Sequence, residues 1–254
     1  MPYYEVLEGR NWRAEIGLVA SLLERYHCRS VIDLGCGTGR HARELAMRGF
    51  DAVGIDLSGP NIDQAREKAR GEHAGARFVV GSYYDYRPRN HFDAALCMNW
   101  SIPVNDGEIG KFLKNTHALL NEGGILVFDY EKTSQIDWDA VGSPVLESWR
   151  LEDKVLVRAS VGRISDNVLG STDVYVVFQT PDVVESPKEA DRYRFILSAR
   201  QPKVFVDNSF VRFFSSVEIR EFARRYGFRE VLNRALPRGR YCRNYVVLRK
   251  VTGL

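Results

Sequence analysis

The first 130 residues combine two hydrophobic periods, one typical of helices and one typical of strands. Trp12, Ile16, Val19 and Leu23 recur every three or four residues, which predicts an amphipathic helix over residues 11–26. Short apolar runs, separated by further helical patterns, predict strands at 30–34, 52–55, 77–80, 94–98 and 125–130. Because strands joined through helices pair in parallel by right-handed crossovers, we expect a parallel sheet with helices on its faces.

The pattern changes after Tyr130 and returns near Ser215. β-rich runs joined by turn residues, with no convincing helix between them, lie at 154–164, 173–180, 192–199 and 204–212. Ser215 and Glu218 then form a capping-box signature for a helix. Two final strands are predicted at 228–232 and 245–250.

The predicted fold is therefore α/β. It is a doubly wound, mostly parallel, seven-stranded sheet with an antiparallel β insertion after strand 5. The core is predicted to comprise residues 1–134 and 213–254, and the insertion residues 135–212.

Composition limits the functional classes. The chain has 254 residues, of which 44% are hydrophobic and 27% charged, as in a globular protein with one substantial core. Its net charge of +3 is too small to indicate a nucleic-acid partner by itself. No apolar run approaches the ~20 residues that span a bilayer, and no signal-peptide pattern is present, so no membrane partner is expected. The 4 cysteines lack C-x-x-C spacing, which favours free thiols in a reducing cytoplasm, and no cluster has the spacing of metal ligands.

A glycine-rich turn follows the first predicted strand. Gly35, Gly37 and Gly39 allow backbone N–H groups to approach a ligand without an intervening Cβ atom. The helix that follows directs the positive end of its dipole at the same place. Asp33 lies on the strand just before the turn. Asp56 ends the next strand, where a carboxylate can accept hydrogen bonds from a ribose.

The spacing of these glycines distinguishes two classes of nucleotide ligand. A dinucleotide-binding turn has the pattern G-x-G-x-x-G, with its last glycine beneath a pyrophosphate. Here the pattern is G-x-G-x-G, and Arg40 occupies the position of that last glycine. The Asp33 carboxylate is a poor neighbour for a pyrophosphate and a good one for an ammonium group. S-adenosylmethionine has an ammonium group, a ribose and an adenine but no phosphate, so it is the predicted cofactor; a structural glycine turn is the alternative.

These motifs resemble those of the class I S-adenosylmethionine-dependent methyltransferases. The resemblance begins with the glycine motif at 33–39 and the acidic motif at 54–58. It continues, in the order of the family, through the segments 78–82, 92–97 and 119–129, and the whole covers about half of the chain. It implies a Rossmann-like fold and methyl transfer from S-adenosylmethionine. The remainder resembles, more loosely, small-molecule methyltransferases that include sugar and glycine N-methyltransferases.

The resemblance also implies the residues of a cofactor site. Asp33 and the backbone around Gly35 are expected to hold the amino-acid end, Asp56 the ribose hydroxyls, and Leu57 the adenine face. After the third strand the family often has Gly-Asp, whose acid accepts from the adenine amino group; this chain has Ser82 there, a weaker acceptor. The other predicted cofactor contacts are Tyr4, Cys36, Gly37, Gly39, Tyr83 and Asn99.

The methyl acceptor is expected outside the carboxyl ends of the strands. Trp100, Asp129 and Tyr130 are the candidate catalytic residues that could orient it, and Asp129 is also a candidate general base. The chain lacks the Asn-Pro-Pro-Tyr motif of base- and glutamine-modifying enzymes, which counts against a nucleobase amine as acceptor. His41 fits packing and the pocket equally well, and His117 is expected to be structural.

Three functional hypotheses remain. The first is methyl transfer to a nitrogen or oxygen of a small molecule, with the β insertion shaping the acceptor pocket. The second is an RNA or protein methyltransferase that uses the basic segment 233–243, whose 4 arginines also fit a solvated loop. The third is a cofactor-binding protein without catalysis, for which Ser82 leaves room. A homodimer through exposed strand edges is left open.

Overall fold

The chain divides into two units. A computed structural model describes residues 12–99, 101–135, 141–150, 154–179, 203–238 and 241–251. The first unit contains Arg10–Gln135 and Arg212–Leu254. The second contains Ile136–Val211.

The first unit is built on one sheet. Its strands are β1 (Ser30–Leu34), β2 (Asp51–Asp56), β3 (Arg77–Val80), β4 (Phe92–Cys97), β5 (Leu120–Lys132), β10 (Phe228–Arg238) and β11 (Tyr241–Lys250). Among the described residues, they follow the order β3-β2-β1-β4-β5-β11-β10. The pairs from β3 to β5 are parallel, and β11 is antiparallel to both β5 and β10. The predicted doubly wound, mostly parallel sheet is confirmed.

Helices cover this sheet between its strands. They are α1 (Trp12–Arg25), α2 (Arg40–Met47), α3 (Gly59–Gly71), α4 (Asp106–Leu119) and α5 (Ser216–Arg225), with a 3₁₀ turn at Thr133–Gln135. The Ser58 hydroxyl accepts from the Asn61 N–H at 3.3 Å and caps α3. The predicted capping box of Ser215 and Glu218 at the start of α5 is present. In the described part of the chain, no helix is both long and apolar enough to cross a membrane.

Side chains alternate between the two faces of the sheet and fill a separate core on each face. On one face, Ile32 of β1 packs in a cluster with Phe112 of α4. On the other face, Val31 of β1 packs in a cluster with Leu45 of α2. Asp33 has the same parity as Val31, so its side chain enters the face covered by α1 and α2. This places a carboxylate in an apolar layer beside the glycine turn.

The second unit is an antiparallel sheet. Its strands are β6 (Val145–Arg150), β7 (Lys154–Ser165), β8 (Val168–Gln179) and β9 (Lys203–Phe214), the last of which ends in the first unit. Asp166 and Asn167 have φ of 49° and 62°, as in a tight two-residue hairpin turn between β7 and β8. A small core of Leu156, Tyr175 and Val177 packs on one face. The predicted run at 192–199 lies outside the described residues.

The structure extends the last two strands beyond their predicted ends. The sequence predicted strands at 228–232 and 245–250, with a solvated loop between them as one interpretation of 233–243. Instead, β10 runs to Arg238 and β11 starts at Tyr241. The two strands extend this far because they pair with each other. Their backbone hydrogen bonds run along a register from Phe228↔Lys250 to Arg238↔Tyr241.

Candidate active site

The glycine turn after β1 is fastened to the end of β2. Gly35, Gly37 and Gly39 have φ of 77°, 54° and 78°, in the region that favours glycine. The N–H groups of Gly35 and Cys36 donate to the Ile55 carbonyl at 2.9 and 3.0 Å. Gly39 then serves as the N-cap of α2. Backbone hydrogen bonds therefore fix this turn without any ligand.

The three glycines differ in what surrounds them. A Cβ atom on Gly39 would lie 2.5 Å from the Phe78 ring, and one on Gly35 would lie 2.9 Å from the Ser101 hydroxyl. A Cβ atom on Gly37 would meet no described atom within 4 Å. Packing against Phe78 therefore requires glycine at position 39. The backbone of Gly35 lies close to Ser101, in the loop after β4. Gly37 is the position where a ligand can approach the backbone.

Asp56 lies beside Gly37 with its carboxylate already oriented. Its Oδ2 atom accepts from the Gly37 N–H and its Oδ1 atom from the Ser58 N–H, both at 2.8 Å. A carboxylate has about four acceptor positions, so these two bonds leave room for ligand hydroxyls. The next residue, Leu57, is 73% exposed and presents an apolar surface beside this carboxylate. Such a pair suits a sugar hydroxyl next to a flat apolar ring.

The Asp33 carboxylate is buried and incompletely satisfied. Asp33 is 3% exposed, and its Oδ2 atom has no hydrogen-bond partner among the described residues. Burial raises the pKa of Asp33 to about 6; the nearby His41 opposes this shift, and Asp56 and Glu15 add to it. A buried carboxylate oxygen without a donor is costly. A cationic ligand group would supply what this oxygen lacks.

Next to Asp33, a buried polar network joins α1, α2 and β11. The His41 Nε2 atom lies 3.0 Å from Glu15 Oε1, and the Tyr245 hydroxyl donates to Glu15 Oε2 at 2.8 Å. Burial opposes ionisation of Glu15, but its bonds to His41 and Tyr245 outweigh burial and hold its pKa at about 2. Burial likewise opposes the charge on His41, but Glu15 and Asp33 raise its pKa. His41 therefore belongs to a buried ion pair.

The turn after β4 is held by a second buried network. Asn99 has a φ of 61°, and its backbone N–H donates to Asp129 Oδ1 at 2.7 Å. The Arg243 Nη1 group donates to Asp129 Oδ2 and, at 3.0 Å, to Asn99 Oδ1. Burial disfavours the charged guanidinium, but Asp129 and Glu131 outweigh it and raise the pKa of Arg243.

Two of the three predicted catalytic residues are buried and hydrogen-bonded within the protein. Asp129 is 0% exposed and engaged by Arg243, so its geometry does not suit a general base that must reach an acceptor. Tyr130 is 1% exposed, and its hydroxyl donates to Asn233 Oδ1 at 3.0 Å in the core, which does not suit contact with an acceptor. Trp100 lies outside the described residues, as does Tyr4, a predicted cofactor contact.

The loop after β3 contains the predicted contacts Ser82 and Tyr83. The Ser82 hydroxyl accepts from the Tyr84 N–H at 3.1 Å and so stabilises its own turn. The Tyr83 ring packs edge-on against Phe112, with centroids 5.5 Å apart, and its hydroxyl donates to the Ser101 carbonyl at 3.3 Å. Tyr83 thus links this loop to the loop after β4. A role of either residue toward the adenine stays a prediction.

Sequence reasoning missed three residues that organise the site. Glu15 is polar on the buried face of α1, and a charged residue within an apolar stripe was the signal for it. Arg243 was treated as part of a basic surface segment, and only its pairing in β11 reveals otherwise. Ser101 gave no signal; its hydroxyl donates to the Met98 carbonyl at 2.8 Å, and the Gly35 carbonyl lies 3.3 Å away. His117 packs edge-on against Phe228 at 5.3 Å, consistent with the expected structural role.

The arrangement combines open space at the backbone of Gly37 with two carboxylates of different character. Asp56 is half-buried and hydrogen-bonded, whereas Asp33 is buried and its Oδ2 atom has no donor within the described ranges. Within the described ranges, no group of His, Cys, Asp and Glu side chains is placed to hold a metal ion. The site can therefore bind a ligand that carries a cation, hydroxyls and an apolar ring.

Comparison with known proteins gives a matching picture. Residues 31–124 match the family model described as a methyltransferase domain. The chain is 33% identical over 97 residues to a ubiquinone biosynthesis O-methyltransferase of Bradyrhizobium diazoefficiens, covering 38% of each protein. It is 31% identical over 130 residues to a glycine/sarcosine N-methyltransferase of Parasynechococcus marenigrum, covering 48% of this chain and 45% of the relative. The chain thus spans about half or less of the length of these curated relatives.

Solved structures share the fold over nearly the whole chain. An amino pentose methyltransferase of Micromonospora echinaspora, CalS10, has a TM-score of 0.76 at 18% identity, covering 99% of this chain and 97% of that one. DesVI of Streptomyces venezuelae has a TM-score of 0.76 at 20% identity, covering 97% and 96%. At these identities the similarity concerns the fold.

Proposed function

We propose that this protein transfers a methyl group from S-adenosylmethionine to a nitrogen or oxygen of a small-molecule acceptor, since residues 31–124 match the family model of a methyltransferase domain. The observation that carries the proposal is the buried Asp33 Oδ2 atom, which has no hydrogen-bond donor in the described part of the chain. Gly37, in the turn that follows Asp33, has open space at its Cα atom. A methyltransferase cofactor brings a cationic amino-acid end to this position. A dinucleotide would bring a pyrophosphate, which a buried carboxylate repels.

The residues present fit S-adenosylmethionine part by part. Asp33 would hold the ammonium group, and Asp56 the ribose hydroxyls by charge-assisted hydrogen bonds. Leu57, which is 73% exposed, would pack against the adenine. The open space at Gly37 admits a ligand against the backbone. Cys36, Gly39, Ser82, Tyr83 and Asn99 remain predicted contacts of the same site.

The chain's own contribution to the chemistry is orientation. When bound, the cofactor supplies an electrophilic methyl group on a sulfonium. The protein has to place a neutral nucleophilic atom of the acceptor in line with it, which requires positioning more than proton transfer. Because Arg243 engages the Asp129 carboxylate, we assign Asp129 to positioning Asn99. An acceptor that arrives deprotonated requires no general base.

A small-molecule acceptor is favoured over RNA or protein. The relatives named above are a ubiquinone biosynthesis O-methyltransferase and a glycine/sarcosine N-methyltransferase, and CalS10 is an amino pentose methyltransferase. Arg243, one of the arginines in the basic segment, is 1% exposed and engaged by Asp129, so it cannot reach a phosphate backbone. That observation weakens the RNA hypothesis, because the hypothesis relied on the arginines of this segment.

Three finer predictions belong to the same proposal. Residues 135–212 are proposed to shape the acceptor site, because the cofactor motifs precede Tyr130 in the sequence. Cys28, Cys36 and Cys97 are free thiols, which supports a reducing, cytoplasmic location. A homodimer stays a prediction that sedimentation of the full chain would test.

One experiment separates the hypotheses. The purified chain is titrated calorimetrically with S-adenosylmethionine, S-adenosylhomocysteine and, as a control, NAD. Methyl transfer is then measured with pools of small amines, small phenols and RNA. Binding of the first two compounds with turnover of a small-molecule pool supports the proposal. Preference for NAD overturns the cofactor, turnover of RNA alone overturns the acceptor class, and binding without any turnover favours the non-catalytic hypothesis.

A further inference from the structure

The basic segment 233–243 has no role in the proposed function. One of its arginines, Arg243, has a buried side chain. Arg243 is 1% exposed, whereas Arg234 on the paired strand is exposed. A buried guanidinium is costly unless charged partners with good geometry hold it. The partners of Arg243 therefore indicate what this arginine does.

Arg243, Asp129 and Asn99 form a closed ring of hydrogen bonds. The Arg243 Nη1 group donates to Asp129 Oδ2 and to Asn99 Oδ1, the latter at 3.0 Å. The other carboxylate oxygen, Asp129 Oδ1, accepts from the Asn99 backbone N–H at 2.7 Å. The guanidinium group thus holds the side chain of Asn99 directly and its main chain through Asp129. Glu131 lies 3.7 Å from Arg243 Nε and adds a second negative charge.

Asn99 needs this support because of its backbone. Its φ of 61° lies in the left-handed region, which asparagine tolerates better than most residues but which remains strained. A strained residue persists where its surroundings over-determine it, and such residues cluster at functional sites. Asn99 lies two residues after the end of β4, in the loop that contains Ser101.

The ring acts next to the proposed cofactor site. In the sheet register, Asp33 of β1 lies opposite Leu96 of β4, so the turn at Asn99 follows the neighbouring strand end. Farther along this loop, the Ser101 hydroxyl lies 3.3 Å from the Gly35 carbonyl. Asn99 therefore lies two residues before the serine that contacts the glycine turn.

We propose that Arg243 is a positioning residue for cofactor binding, which acts through Asp129 to fix the left-handed turn at Asn99. Arg243 itself does not contact the cofactor. The inference rests on the proposed function, since it assigns the turn after β4 to the cofactor site. It gives the basic segment an internal role and gives Asp129 a role other than that of a base.

The test must separate positioning from stability. Arg243→Met alone leaves the Asp129 carboxylate buried without its cation, which destabilises the fold whatever the role. The double variant Arg243→Met/Asp129→Leu removes both charges, so the fold is expected to recover. It still leaves the Asn99 N–H without its carboxylate acceptor. Arg243→Lys keeps the charge but loses the planar fork that donates to two acceptors, so it is expected to be intermediate.

Three quantities are measured on the full chain for each variant. They are the melting temperature, the hydrogen exchange of the peptide spanning 98–105, and the dissociation constant for S-adenosylmethionine. Arg43→Met is the matched control, because Arg43 is a buried arginine of the same unit that pairs with Glu72, the C-cap residue of α3. For the double variant we expect a near-native melting temperature, faster exchange at 98–105 and about tenfold to a hundredfold weaker binding.

A positioning role and a purely structural role of Arg243 predict different results. Native exchange at 98–105 or native affinity in a stable double variant overturns the inference. If the double variant is unstable, Arg243→Lys is compared with Arg43→Met at matched melting temperature. A loss of affinity confined to Arg243→Lys then supports positioning, and equal losses overturn it. If the wild-type chain binds no S-adenosylmethionine, the proposed function fails, and exchange at 98–105 alone decides whether Arg243 holds the turn.

Discussion

The backbone N–H of Gly37 donates a hydrogen bond of 2.8 Å to the Asp56 carboxylate. This bond joins the tip of the glycine turn to the end of β2. The second carboxylate oxygen accepts from the Ser58 N–H, so both oxygens of this side chain are oriented by the backbone. A group that is oriented in advance loses less entropy on binding. Asp56 therefore organises the site as well as offering acceptors to it.

Asp56→Ala is expected to weaken S-adenosylmethionine binding by about 1.5–3 kcal/mol, the range for a lost charge-assisted hydrogen bond. Asp51→Ala is the matched control, because Asp51 lies at the other end of β2 and pairs with Arg77 at 2.7 Å. Titration calorimetry compares the two variants. Near-native affinity of Asp56→Ala, with the fold intact, would remove the ribose assignment.

Gly37→Val is expected to abolish cofactor binding, because the branched side chain would fill the open space at a φ of 54°. Gly49→Val is the control, since Gly49 also has a positive φ, of 93°, and open space around it, but it follows α2. Both variants are expected to lose about 1–2 kcal/mol of stability through backbone strain. Only the variant at Gly37 is expected to lose binding. Equal affinities would show that the turn does not touch the cofactor.

The cofactor half of the site could be predicted because its signals are local in the sequence. The turn at Gly35, Gly37 and Gly39 requires glycine for its own backbone, and strand alternation places Asp33 beneath it. Asp56 ends the next strand along. Each of these inferences uses a short segment and the periodicity of one strand or turn. Hence the predicted fold and the predicted turn agree with the structure.

The rest of the candidate site depends on contacts between residues far apart in the sequence, which no local sequence pattern indicates. Arg243 and Asp129 are separated by 114 residues, and Tyr245 and Glu15 by 230. Periodicity carries no information about pairing at such separations. The neighbours of Arg243 in the sequence are basic and polar, which is typical of a surface. It is buried because β11 inserts between β5 and β10.

Glu15→Gln is expected to destabilise the fold by about 3 kcal/mol or more, as for other broken buried ion pairs. The pKa of Glu15 is lowered to about 2, so its contribution is present above its ordinary value of 4.5 and is lost as the pH falls. The pKa of His41 is raised above 6.5, so its contribution is present below that value and is lost as the pH rises. The difference from wild type should therefore be largest between these two ordinary values.

Urea unfolding across this pH range measures the effect of Glu15→Gln. Glu24→Gln is the control, because Glu24 is an exposed residue of the same helix. It is expected to change stability by less than about 0.5 kcal/mol, as surface substitutions usually do. A loss for Glu15→Gln that stays constant with pH would contradict the ion pair as its cause.

Cofactor affinity is expected to fall below about pH 6, because burial raises the pKa of Asp33 to about 6. An ammonium group binds the ionised carboxylate, so below this pH each binding event must release a proton. The affinity should then decrease by up to about tenfold per pH unit. The groups that act on Asp33 are His41, Asp56 and Glu15, and the raised pKa of His41 keeps it protonated through this acid range.

The raised pKa of Asp33 makes the stability of the ligand-free protein change with pH in the direction opposite to cofactor affinity. The contribution of Asp33 to stability is fully present below its ordinary value of 3.8 and is lost as the pH rises through about 6. Stability from this group therefore increases on acidification while binding weakens, and Asp33→Asn should abolish both dependences. Calorimetry in two buffers of different ionisation enthalpy counts the released protons. Methylthioadenosine, which has no amino-acid end, serves as the chemical control. If its affinity shows the same pH dependence, Asp33 does not hold the ammonium group.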